Sequence, residues 1–150
     1  MIFREATTTD IPQMQVIRNA VKENVLSNPS LVKGNDYIDF LISRGKGWVC
    51  IVEDKIVGFA ICDLLENNIW ALFVHPNFDK RGIGKTLHNI MMDWYFDQQK
   101  ESCWLSTEPN SRAEKFYAMQ GWIDVGVYEK GEKKFELNKQ NWIKTKLIIK

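Results

Sequence analysis

The stretch "HPNFDKRGIGKTLHNIM", residues 75–91, sets Lys80, Arg81 and Lys85 around a glycine pair, Gly82 and Gly84, where a helix-like pattern begins. Residues of these types at this spacing bind phosphate. Glycines let the backbone approach an anion closely, and the first N–H groups of a helix lack internal acceptors. The helix dipole adds roughly half a positive charge at the same end. The chemistry on offer is recognition of a phosphate-bearing ligand through the backbone of Arg81, Gly82, Ile83, Gly84, Lys85 and Thr86, with mobile charge from Lys80, Arg81 and Lys85.

Three loop grammars contain something of this kind. A P-loop, G-x-x-x-x-G-K-[ST], would end on Gly84, Lys85 and Thr86, but it needs glycine where Asp79 stands, and a carboxylate there faces the phosphates. The dinucleotide fingerprint G-x-G-x-x-G takes Gly82 and Gly84 but meets Leu87 at its third glycine, with no parallel strand–helix–strand unit around it. The third is a strand, a turn with proline, then [Gln/Arg]-x-x-Gly-x-Gly opening a long amphipathic helix. Here "LFVHP" precedes D-K-R-G-I-G at residues 79–84, with Asp79 in the place of Gln or Arg.

Elements able to hold this loop are legible in the hydrophobic periodicity. A strand-like opening at Ile2 and Phe3 leads through an N-cap at Thr9 or Asp10 into a helix face of Ile11, Met14, Ile17, Val21 and Val25. A loop over residues 26–35 precedes a short helix over 36–43. Three β-branched and aromatic runs follow, "GWVCIVED", "KIVGFAICDLL" and "NIWALFV", with turns at Asp54–Lys55 and at residues 66–68. They predict an antiparallel meander. Leu87, Ile90, Met91, Trp94 and Tyr95 mark the strongest helix, residues 84–98. A strand "SCWLST", a helix "SRAEKFYAMQG" capped by Ser111 or Asn110, two strands "IDVGVY" and "KKFELN", and a Lys-rich tail complete the order. The expectation is an α/β fold: a mixed, mostly antiparallel sheet of about seven strands with helices on both faces.

Composition narrows the function classes. At 150 residues the chain suits a single domain spanning residues 1–150. Its 20 Lys plus Arg against 19 Asp plus Glu leave no field to draw nucleic acid or a membrane surface. The N-terminus is too polar for a secretory leader and no apolar run is long enough to span a bilayer. Cys50, Cys62 and Cys103 read as small core residues in a reducing compartment, and His75 and His88 match no zinc spacing. The expected setting is the cytoplasm, without a metal, as a monomer or homodimer.

A second motif lies downstream. "NSRAEKFYAMQGW" fits Asn-x-x-Ala-x-x-Phe-Tyr-x-x-x-Gly-[Phe/Trp] at Asn110, Ala113, Phe116, Tyr117, Gly121 and Trp122. With the glycine loop and the strand between them, this resembles the GNAT superfamily of acyl-CoA-dependent N-acetyltransferases. The resemblance covers the whole chain in element order, with specific motifs over residues 69–122.

The resemblance implies a V-shaped splay between the fourth and fifth strands, in which the pantetheine arm of acetyl-CoA bonds to backbone at Leu72, Phe73 and Val74. Strand addition of this kind satisfies main-chain groups that would otherwise go unpaired. It places the pyrophosphate on residues 80–86, the pantetheine side near Asn110 and Phe116, and a proton donor for the departing thiolate at Tyr117. A phenol with a pKa of about 10 can donate to a thiolate whose conjugate acid lies near 8.5. Without the motif, Tyr117 would read as a packing residue like Phe116 beside it; with the motif, the proton-donor reading leads.

A base for the amine is less defined. Asn68 stands where some members place a Glu, leaving Glu66, with Asp63 and Glu108, as carboxylate candidates beside a water chain. The acceptor site is expected in residues 24–44, with Glu23, Asp36, Tyr37 or Asp39 holding an ammonium and Trp48 and Trp70 as walls. The leading reading is acetyl transfer from acetyl-CoA to a primary amine by direct attack in a ternary complex. The alternatives are a non-catalytic acyl-CoA sensor and, disfavoured by the charge balance, a nucleic-acid-associated protein.

Overall fold

The computed structural model describes residues 1–21, 34–99 and 101–149. Seven strands form one sheet: β1 (Ile2–Glu5), β2 (Gly45–Val52), β3 (Lys55–Asp63), β4 (Asn68–Val74), β5 (Cys103–Thr107), β6 (Ile123–Val127) and β7 (Lys133–Leu137). Their spatial order is β1-β2-β3-β4-β5-β7-β6, antiparallel except where β4 meets β5. The helices are α1 (Ile11–Ala20), α2 (Gly34–Ile38, running on into a π-helical turn at Asp39–Arg44), α3 (Ile83–Gln98), α4 (Arg112–Met119) and α5 (Lys139–Ile149).

Side-chain periodicity explains the layering. Ile11, Met14 and Ile17 of α1, with Tyr37 and Leu41, bury one core against Val49, Phe59 and Ile61. The opposite core is built from α3, through Leu87, Met91, Met92 and Tyr95, with Tyr117 of α4 and Trp142 of α5. Arg4 starts α1 correctly: its guanidinium holds both Asp10 oxygens at 2.8 Å while Thr7 N–H donates to Asp10 Oδ2 at 2.8 Å. This pairing keeps the Asp10 carboxyl below its ordinary range. Gly58 lets α3 lie close on β3, because a Cβ there would meet Ile83 Cγ2 at 3.1 Å and Leu87 Cδ1 at 3.2 Å.

The splay between β4 and β5 has a visible cause. Ile61 pairs with Ala71 and Cys62 with Ile69, so Trp70 is an extra residue in β4. Such a bulge bends its strand and disrupts the ladder. Across the gap β4 and β5 share one registered pair, Asn68 with Trp104.

Three sequence expectations are corrected. The Lys-rich tail is helix α5: Asn138 caps it by accepting from Asn141 N–H at 2.8 Å, and Trp142 is buried, donating its indole N–H to Asp93 at 2.9 Å. The β2–β3 turn sits at Glu53–Asp54, not Asp54–Lys55; both have positive φ, as a two-residue hairpin loop requires. Helix α1 ends at Ala20 with Val21 already extended, and Val25 lies outside the described residues, as does most of the expected 26–35 loop. The three cysteines are free and buried. No helix among the described residues is long and apolar enough to cross a membrane.

Candidate functional site

A cavity of about 420 Å³ opens between the C-terminal half of β4, the loop leading into α3, and α4. Leu72, Phe73 and Val74 form its strand wall; Lys80, Gly82, Ile83, Gly84 and Lys85 form its loop wall; Phe116 and Tyr117 face them from α4. The structure therefore brings together ten of the residues singled out from the sequence.

The loop wall is built to leave donors open. Gly82 is the N-cap of α3 at φ 80°, the left-handed region glycine tolerates, and offers no side-chain cap. The first bond within the helix runs from Thr86 N–H to Gly82 O at 3.0 Å. The N–H groups of residues 82–85 thus have no acceptor inside α3. Gly84 is a second opening: a Cβ there would meet Val74 Cγ2 at 3.7 Å and Phe116 Cε1 at 3.9 Å, ordinary contacts, so packing does not demand glycine. Bare backbone at the wall suits close approach by a ligand.

Three expected contacts stand apart. Thr86 spends both its N–H and its hydroxyl on Gly82 O, the latter at 2.9 Å, which narrows the cradle by one donor. Arg81 is exposed, its guanidinium 5.0 Å from the Phe78 ring. Asn110 is exposed in a left-handed conformation with its N–H donating to Glu114; the cap of α4 is Ser111, accepting from Glu114 N–H at 3.2 Å. None of the three lines the cavity.

A second cavity, about 90 Å³, lies in the splay itself, between residues 69–73 of β4 and residues 105–107 of β5. Leu72, Phe73, Ala113 and Tyr117 line both cavities, so the two meet at Tyr117. That residue is buried in an aromatic nest, edge-on to Phe116 at 5.1 Å and to Trp122 at 5.6 Å. Burial pushes its phenol well above the ordinary range, so at neutral pH it keeps its proton.

Glu66, the expected carboxylate base, stands apart from both cavities. It is exposed in the turn at the closed end of the splay, where its carbonyl accepts from Trp104 indole N–H at 2.9 Å, and it lines neither cavity. Asp63 is buried in a bidentate pair with Arg44 at 2.5 and 3.2 Å, and Glu108 is exposed beyond β5. Among the described residues the only carboxylate on either wall is Asp79.

Of the residues expected at an acceptor site, Trp70 lines the small cavity, stacked on Phe40 at 4.1 Å and met edge-on by buried Tyr37 at 5.1 Å. Trp48 does not: it is buried on the opposite face against Trp94 at 5.6 Å. Asp39 is exposed on the π-helical turn, Asp36 is half-buried in α2, and Glu23 lies outside the described residues.

Sequence reasoning missed Arg112 and His88. Arg112, the first residue of α4, lines the large cavity and pairs with Asp79 at 2.5 Å. His88 is fully buried beneath Tyr117, accepting from Trp122 indole N–H at Nε2, 2.9 Å. An indole only donates, so the His88 proton sits on Nδ1, 2.9 Å from Asn89 Oδ1. Burial lowers its pKa from 6.5 to about 4. Its place in an apolar helix face is the signal that could have found it.

The comparisons with known proteins agree with this geometry. A sequence profile of the acetyltransferase (GNAT) family matches residues 15–122, well over half of the chain. The chain belongs to that family and is an enzyme of the acetyltransferase class. Among solved structures, it is similar to the PaiA N-acetyltransferase of Thermoplasma acidophilum in complex with coenzyme A (13% identity, TM-score 0.79, 91% of this chain and 98% of that one). It is also similar to the ribosomal-protein-alanine N-acetyltransferase of Brucella melitensis (20% identity, TM-score 0.75, 92% and 99%). A third is Rv2747 of Mycobacterium tuberculosis, solved with CoA and NLQ (16% identity, TM-score 0.72, 92% and 99%). No curated protein sequence matches the chain.

Proposed function

We propose that the protein binds acetyl-CoA in the large cavity and transfers its acetyl group to a primary amine by direct attack in a ternary complex. One observation carries this reading: the open N–H groups of residues 82–85, the edge of residues 72–74 that has no registered partner in β5, and Tyr117 are walls of one cavity. The first suits a pyrophosphate, the second an amide-bearing arm and the third a departing sulfur. Two solved structures of this fold hold coenzyme A, which supports the same ligand here.

In this reading the amine attacks the thioester carbonyl, the carbon–sulfur bond breaks, and the sulfur leaves with the electron pair. Tyr117 donates a hydrogen bond as that charge develops, and a proton it passes to the sulfur is regained from the water that takes up the amine's proton. The attacking nitrogen loses its proton to water, since Asp79, the one carboxylate on the described walls, belongs to the loop that this reading gives to the pyrophosphate. That same scarcity of bases favours one other reading, a non-catalytic acyl-CoA sensor. The test is thiol release from acetyl-CoA across a panel of polyamines, amino acids, aminoglycosides and peptides, including one with an N-terminal alanine, the residue named for the Brucella enzyme. Release with one amine class supports transfer. Calorimetric CoA binding with no release from any amine supports the sensor.

A further inference from the structure

We propose that Asp79 sets the affinity of the cofactor site by holding Arg112 as an internal counter-ion across its mouth, so that a CoA phosphate binds by taking Arg112 from Asp79. This rests on the acyl-CoA reading above. The two residues are mounted on opposite walls of the cavity. Asp79 belongs to the loop before α3, where its Oδ1 accepts Lys80 N–H at 3.0 Å. Arg112 opens α4, whose start is pinned by Ser111, bonded to Glu108 O at 2.7 Å and to Glu114 N–H at 3.2 Å. Their side chains meet at 2.5 Å, Asp79 Oδ2 to Arg112 Nη2, and both line the cavity.

The setting gives this pair its meaning. Around it stand the open N–H groups at the start of α3, with Lys80 and Lys85, all suited to an anion. Asp79 is the one negative charge on the described walls, and it occupies Arg112 as a phosphate would. An incoming phosphate meets a like charge and must exchange partners with it. The pair is partly exposed, 34% at Asp79 and 64% at Arg112, so water screens it and the exchange is reversible. Asp79 is thus a positioning residue: it acts on the cofactor through Arg112.

Calorimetric titration of CoA into five forms of the full chain tests this: the parent, Asp79→Asn, Asp79→Glu, Arg112→Ala and the double variant. Asp79→Asn keeps an acceptor for Lys80 N–H and removes the charge, and it is expected to bind CoA about three- to tenfold tighter than the parent. Asp79→Glu, which keeps the charge, returns affinity to the parent value. In an Arg112→Ala background, Asp79→Asn is expected to gain less than about twofold, because the residue to be released is gone. Unchanged or weaker binding by Asp79→Asn overturns the proposal while CoA binding by the parent keeps the cofactor reading. A gain undiminished in the Arg112→Ala background also overturns it, assigning the effect to direct repulsion. A parent that binds no CoA overturns both.

Discussion

Under the proposed function, Tyr117 joins packing and chemistry in one side chain. Its ring is wedged among Phe116, Trp122 and His88, while its position places it on both cavities. Tyr117→Phe removes only the hydroxyl, so the melting temperature should hold. A general acid contributes about 10²–10⁴-fold, and kcat for the best amine should fall on that scale with CoA affinity retained. If single-turnover rates stay within threefold of the parent, the residue serves packing alone. Glu66→Gln, changing a turn residue that lines neither cavity, should cost less than about tenfold in kcat. Beneath Tyr117, His88 predicts a pH dependence. Its folded pKa, about 4, lies below the ordinary 6.5, so the unfolded chain takes up a proton in that window and the folded chain does not. Stability is therefore full above pH 6.5 and is lost as pH falls toward 4, by up to about 3 kcal/mol. Urea titrations across that window should show the loss, and His88→Gln, whose amide oxygen can still accept from Trp122, should flatten it.

At the scale of elements, the unit β4–loop–α3 carries most of the site, and it was the most legible part of the sequence. Its strand is continuous in apolar residues, its helix repeats at three and four, and its glycines fall where open backbone is needed. Gly84 makes this testable. It lies in α3 with room for a Cβ, so Gly84→Ala should raise stability by about 0.4–1 kcal/mol while weakening CoA binding. A denaturation curve and a titration should move in opposite directions; unchanged affinity would mean that no ligand approaches this backbone. What stayed illegible was whatever depends on partners distant in sequence. Helix α5 buries Trp142 while Ile143 and Leu147 stay exposed, so its apolar pattern has no clear stripe; the helix becomes evident only once Asp93 is beside it. Trp48 could face either side of β2, and the strand register decides it. Arg112 looked like an ordinary first-turn residue until the fold set Asp79 opposite.

For the whole molecule, the sheet consists of a four-strand part, β1 to β4, and a three-strand part, β5, β7 and β6, joined through one registered pair. Side chains from α3 and the Tyr95–Asn67–Gln99 cluster hold the halves together beyond that pair. A ligand that binds both sides of the splay adds a further link. CoA at a hundredfold excess over its Kd should raise stability by about 2.7 kcal/mol. Hydrogen exchange should slow at residues 72–74 and at the start of α3, more than in β1 or β6. Slowing spread evenly over all strands would place the ligand elsewhere.

The bulge at Trp70 has a consequence for how this surface tolerates mutation. Beyond it, residues 72–74 pair with β3 on one side and have no registered partner in β5 on the other, and the backbone of that edge is common to nearly every amino acid. Side chains at residues 72–74 can drift through any set that packs, with the row of N–H and C=O groups unaltered. Proline is the exception, because it alone withdraws a donor from that row. Under the proposed function, recognition written in main chain is in this sense insulated from most single-codon change, and the readable signature of the cleft concentrates in the glycines, where a side chain would intrude on the ligand.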